Sequence, residues 1–182
     1  MGQPDLPIDA SRRIFASMPT IAKILAPTDF SEDSAHALQY AEEFARKFRA
    51  ELILIHVAQA LAPVSFGLEP GITPDPLALE TIGRIAEEQR LAAQRELDRT
   101  VNRLRESGLK ARSLLRVGAA FMEILTTSQS EGVDLIVMGT HGRTGLAHIL
   151  LGSVADRVVH KAPCPVMTVR HPDRKFKHPL DK

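Results

Sequence analysis

The segment Gly139-Thr140-His141-Gly142-Arg143-Thr144-Gly145-Leu146-Ala147-His148-Ile149-Leu150-Leu151-Gly152-Ser153 carries the residue types that hold an anion. Glycines let backbone N–H groups approach anionic oxygens without a Cβ in the way, a helix N-terminus adds its dipole, and a serine hydroxyl adds a donor. Arg143 contributes a guanidinium whose fork matches phosphate oxygens. The same residues also suit a plain glycine-rich turn that closes a loop and caps a helix, and on composition the two readings weigh equally. A second cluster, Thr28-Asp29-Phe30-Ser31, offers a carboxylate between two hydroxyls. Asp29 reads there either as a helix cap beside Ser31 or as a ligand group.

Other reactive residue types lack companions. His141 and His148 have no carboxylate or thiolate at ligand spacing, so no metal site is expected, and His56 reads as a sheet residue. Cys164 lies between Pro163 and Pro165 with nothing beside it in sequence to lower its pKa, so it reads as a packed small residue. There is no GxxxxGK[ST] loop to place a lysine on β- and γ-phosphates and no G-x-S-x-G nucleophile elbow. No catalytic residue is assigned.

The elements that must position these clusters alternate along the chain. Lys23 to Pro27 is a short apolar run that ends in the Thr28–Ser31 caps, after which Ala37, Tyr40, Ala41, Phe44, Ala45 and Phe48 recur with helical spacing. Leu52 to Val57 is a continuous apolar run, the pattern of a strand covered on both faces, and it predicts a central position. Four prolines at 63, 70, 74 and 76 predict a long surface connection. From Leu77 to about Ser107 a helix is expected, with the stripe Ile82, Ile85, Ala86, Ala93, Leu97, Val101 and Leu104 covering the sheet and Gly108 as its stop. Ala111 to Val117 reads as a third strand, Phe121, Ile124 and Leu125 as anchors of a short helix, and Leu135 to Met138 as a fourth strand. A last helix runs from Ser153 to about Lys161, and Val166 to Val169 forms a fifth strand.

Strands alternating with crossover helices specify an α/β fold, a doubly wound five-stranded parallel sheet with helices on both faces. In such sheets ligands sit beyond the carboxyl ends of the strands where the winding reverses. The loops after the first and fourth strands, which carry the two clusters above, are the places to look.

Composition agrees with a chain of this class. Of 182 residues, 44% are hydrophobic and 25% charged, with a net charge of +1, so no global field attracts nucleic acid and a local site must do any binding. One cysteine closes no intramolecular disulfide, no run of about 18 apolar residues offers a membrane span, and the amino-terminal residues lack a basic segment followed by an apolar run. The expectation is a cytoplasmic chain with an amino-terminal arm over residues 1–20, one α/β domain over 21–170 and a basic tail over 171–182.

The spacing Gly139-x2-Gly142-x9-Gly152-Ser153 resembles the ATP-binding signature of the universal stress protein family. Pro27-Thr28-Asp29-Phe30-Ser31, His56-Val57, Val133 through Gly142 and Pro163-Cys164-Pro165-Val166 resemble that family's other landmarks, in the same order. The resemblance spans residues 21 to 170 and implies a Rossmann-like fold of the adenine nucleotide alpha hydrolase kind. It implies ATP as ligand, with Mg2+ as an optional companion of the phosphates. By the same carry-over, Asp29 would bond the ribose or adenine and the Val57 backbone would read the adenine edge. Gly139, Gly142, Gly152 and Ser153 would hold phosphates and ribose, with Thr28, Met138 and Val154 lining the pocket. The resemblance also implies a homodimer through the strand Val166 to Val169, the last in sequence and so expected at an edge. Three function classes follow: an ATP-binding stress or signalling module, an ATP-using enzyme such as a slow ATPase or phosphotransferase, and a dimeric interaction protein with an empty site. The complete glycine signature favours the first over the third, and the missing catalytic groups favour it over the second.

Overall fold

The structure, a computed structural model, describes residues 20–59, 75–142 and 151–172. Its elements are β1 (Lys23–Pro27), α1 (Glu32–Phe48), β2 (Glu51–Ala58), α2 (Pro76–Glu106), β3 (Ala111–Val117), α3 (Ala120–Ser130), β4 (Leu135–Gly139), α4 (Ser153–Lys161) and β5 (Val166–Val169). All but the last residue of the expected arm over 1–20, most of the proline-rich connection, Arg143, His148 and nearly all of the basic tail lie outside the described residues.

All five strands pair in parallel, in the order β3-β2-β1-β4-β5. The chain winds outward from β1 through β2 to β3, then returns to lay β4 on the other side of β1, so the winding reverses between β1 and β4. The strand at the centre is β1, not β2. The apolar run of β2 reports cover on both faces, which any interior strand has, and does not report rank within the sheet.

Alternation along each interior strand builds two cores. Ile24 and Ala26 of β1, Leu52 and Leu54 of β2 and Val137 of β4 face α1 and α2, where they meet Ala37, Ala41, Ala45, Leu97, Val101 and Leu104. Leu25, Ile53, Ile55, Ile136 and Met138 point the other way, onto Ile124 of α3 and Ala155 and Val158 of α4. The expected stripe of α2 covers the sheet only in its last third. Leu97, Val101 and Leu104 are buried, whereas Ile85 is 41% exposed and Ile82, Ala86 and Ala93 are partly exposed. The cause is length: 31 residues make a helix of about 46 Å, while the eight residues of β2 span about 26 Å. The amino-terminal part of α2 therefore extends past the carboxyl ends of the strands.

Candidate functional site

Where β1 ends, side chains take over from the sheet ladder. The Thr28 N–H donates to the Ile55 carbonyl at 2.8 Å, the last backbone bond between β1 and β2. Because Ile55 directs its polar groups toward β1, Val57, two residues on, directs its own to the same side, beyond the strand's end. The Thr28 carbonyl would take the next rung from Val57, but it lies 2.8 Å from His56 Nδ1 instead. A carbonyl only accepts, so Nδ1 carries the proton. The Val57 main-chain groups on that side are thereby left beyond the carboxyl end of β1.

The turn after β1 is held by its own hydroxyls. Thr28 Oγ1 accepts from the Phe30 N–H at 3.0 Å and lies 3.1 Å from Ser34 Oγ. Asp29 Oδ1 accepts from both the Ser31 N–H, at 3.1 Å, and the Ser31 hydroxyl. Ser31 is the N-cap of α1, its Oγ accepting from the Ser34 N–H at 3.3 Å. One carboxylate oxygen of Asp29 thus braces the cap, and the other lies toward Gly142 of the neighbouring loop. Phe30, between them, has φ 63°, a left-handed conformation that is unusual for an aromatic residue. Its ring rests on His56, with centroids 4.5 Å apart.

The second loop approaches so closely that any added side chain would have to displace a neighbour. A Cβ on Gly142 would stand 2.5 Å from Asp29 Oδ2, and one on Gly139 would stand 3.0 Å from the Asp33 carbonyl oxygen. Buried Thr140 ties the ends together: its N–H donates to Val169, and its carbonyl accepts from the Gly152 N–H at 2.8 Å. A Cβ on Gly152 would lie 3.1 Å from that carbonyl. The Gly152 N–H is therefore engaged within the protein, and the contribution of this glycine is close approach. Gly152 is also the N-cap of α4 and, having no side chain, supplies no side-chain cap to the first amides of that helix. Ser153 is exposed there, while Val154 is partly buried against the core. Met138 is only 5% exposed and packs beneath α4, so its side chain belongs to the core below the crevice floor.

Nine of the ten sequence-derived site residues are described; seven of them lie where β1 and β4 end or at the start of α4, Val57 lies on β2 beside the end of β1, Met138 is buried, and Arg143 is the tenth. Sequence reasoning missed Phe30, His56, Ser34 and Thr140. A histidine closing an apolar strand gives no local sign that its ring replaces a backbone donor. Cys164 is half-buried, and burial pushes its thiol pKa up, with the Asp134 charge acting in the same direction. Among the described residues no group of three or more His, Cys, Asp or Glu side chains is placed to hold a metal ion, and no helix is long and apolar enough to cross a membrane.

Known proteins carry the same architecture. The sequence profile of the universal stress protein family matches residues 20–170. Universal stress protein MJ0577 of Methanocaldococcus jannaschii is 34% identical over 156 residues, covering 81% of this chain and 94% of the relative. Its solved structure superposes with a TM-score of 0.73, at 31% identity, covering 85% of this chain and 99% of that one. Two more distant structures share the fold. One is a universal stress protein in complex with cAMP, at 22% identity and a TM-score of 0.54, covering 84% of this chain and 98% of the other. The second is the universal stress protein from Archaeoglobus fulgidus in complex with dAMP, at 23% and 0.55, covering 82% and 98%. A profile match across the whole sheet, with this identity and superposition, makes the chain a member of the universal stress protein family.

Proposed function

We propose that the crevice between β1 and β4 binds ATP and that the protein acts as a nucleotide-dependent stress-response or signalling module in the cytoplasm. The observation that carries this reading is the approach of Gly142 to Asp29, which leaves bare backbone on one side of the crevice and a fixed carboxylate on the other. Asp29 would bond the ribose or adenine, the Val57 main chain would read the adenine edge, and the uncapped first turn of α4 with Ser153 would receive phosphates. Arg143 would add a cation to the phosphates, and Mg2+ would enter with them. Adenine nucleotides bound by two relatives of this fold are in keeping with that ligand class. Mass spectrometry of nucleotide released from freshly purified protein tests the proposal: ATP at near-stoichiometric amount supports it, and protein that carries none and binds none on titration refutes it.

The alternative is an ATP-using enzyme. With no Walker lysine and no nucleophile elbow in the sequence, turnover should fall far below the median enzyme rate of about 10 per second. A rate near that median, abolished by Asp29→Ala, would move the protein into the enzyme class.

Assembly follows from β5. The carbonyls of Pro165 and Val169 accept from Ile136 and Thr140, so residues 165, 167 and 169 direct their polar groups inward to β4. Val166 and Thr168 direct theirs outward, at the edge of the sheet. We assign this edge to a two-fold pairing with a second copy, which would cover both edges at once.

A further inference from the structure

At the amino end of the sheet, opposite the nucleotide crevice, the carboxyl ends of α1 and α2 meet over the starts of β2 and β3. A cleft of about 310 Å3 lies between them, at the small end of the roughly 300–1,000 Å3 range of ligand pockets. Its walls carry Arg46, Arg49 and Lys110 over a floor of Ala45, Ala50 and Leu109, and no carboxylate lines it.

Basic residues commonly gather at helix carboxyl ends to satisfy the last carbonyls. Here backbone donors already serve the last turns. The carbonyls of Ala45 and Arg46 accept from Ala50 and Arg49, and those of Arg103, Leu104 and Arg105 accept from Ser107, Leu109 and Gly108. The cations are held but poorly neutralised. Arg46 donates to the Ser107 carbonyl at 2.9 Å and to the Ser107 hydroxyl at 3.0 Å, both uncharged acceptors. Lys110 Nζ lies 3.7 Å from Glu51, whose carboxylate also meets Arg112 at 3.2 Å. Glu42 and Glu131 pair with Arg103 and Arg112. Arg49 has φ 55°, at the helix-ending position that glycine usually fills, and among the described residues it has no ion-pair partner. A long charged side chain kept in that conformation, facing two more cations in a concave site, points to a ligand outside the protein.

We propose that this cleft binds a compact phosphate dianion, free or carried on a side chain, through the guanidinium of Arg49, the ammonium of Lys110 and the fixed guanidinium of Arg46. The site is separate from the nucleotide crevice and does not depend on it. The test is a nuclear magnetic resonance titration of the full chain with inorganic phosphate and, separately, with phosphoserine, at constant ionic strength set by chloride. Saturable shifts of the Gly108, Leu109 and Lys110 amides are expected. Arg49→Gly should weaken binding at least ten-fold while leaving the thermal midpoint unchanged or raised, because glycine accepts the left-handed conformation. Lys110→Met should weaken it as well. Tighter binding of one probe identifies the physiological source. Shifts that chloride alone reproduces, shifts confined to residues 139–153, or an Arg49→Gly protein that binds both probes as tightly as the wild type would each overturn the proposal.

Discussion

Gly142→Ala adds a single carbon, and the site geometry fixes where it goes. The new Cβ would lie 2.5 Å from Asp29 Oδ2 and 3.5 Å from Asp29 Cγ, about 1 Å inside ordinary contact for the oxygen. The carboxylate must swing away, and doing so breaks its bonds from the Ser31 N–H and hydroxyl. Hydrogen bonds to a charged group contribute about 1.5–3 kcal/mol each, and water recovers part of that at a partly exposed turn, so a net cost of about 1.5–3 kcal/mol is expected. If Asp29 in that orientation contacts the nucleotide, ATP affinity falls by about 10- to 100-fold. Titration calorimetry on the wild type, Gly142→Ala, Asp29→Ala and the double variant closes a cycle. Because the clash acts through Asp29, Gly142→Ala should cost little in the Asp29→Ala background, a coupling well above the few tenths of a kcal/mol of independent sites. Full affinity in Gly142→Ala, or the same penalty in both backgrounds, would refute the assignment.

Other consequences concern stability and assembly. Gly139→Ala meets the backbone carbonyl of Asp33 at 3.0 Å, which cannot rotate away, so unfolding in denaturant should show a loss of about 1–3 kcal/mol even without nucleotide. Hydrogen bonding to Arg112 holds the Glu131 carboxyl below the usual range, so its contribution is present at neutral pH and lost as pH falls through the lowered value. Arg112→Gln should flatten the stability–pH curve below about pH 4.3, and an unchanged acid limb would disprove the linkage. Thr168→Pro removes an outward donor of β5 without touching its ladder to β4, and light scattering at micromolar concentration should then report a monomer where the wild type is a dimer; a monomeric wild type defeats the pairing itself.

The elements were legible because burial writes period into sequence. The bounds of β3, which stops at Gly118, and of β5, which starts after Pro165, are those expected, and Gly108, with φ 86°, follows the end of α2 as expected. The order of the strands followed only in part. Right-handed crossovers with helices on both faces require a reversal in the winding, yet whether β1 or β2 occupies the centre depends on which edge each later strand joins, and local pattern carries nothing about that. The reach of α2 was misjudged for a related reason: a stripe tells which face of a helix is apolar, while the end of the sheet beneath it is a property of other segments.

The site divides along the same line. Gly139, Gly142 and Gly152 are visible as glycines, but the objects that forbid a Cβ are distant in sequence: the Asp33 carbonyl, the Asp29 carboxylate and the Thr140 carbonyl. Their roles are also unequal. Gly152 donates its N–H to Thr140 and so serves close packing, while the uncapped turn it opens belongs to the residues that follow. His56 looks like any polar residue at the end of an apolar strand. Only when β1 is set beside it does its imidazole occupy the rung that Val57 would have filled, and only then does the left-handed Phe30 have that ring to rest on. What ends the ladder between β1 and β2 is thus a substitution of side chain for backbone at its last rung, and that exchange exists nowhere in the sequence until the two strands are paired.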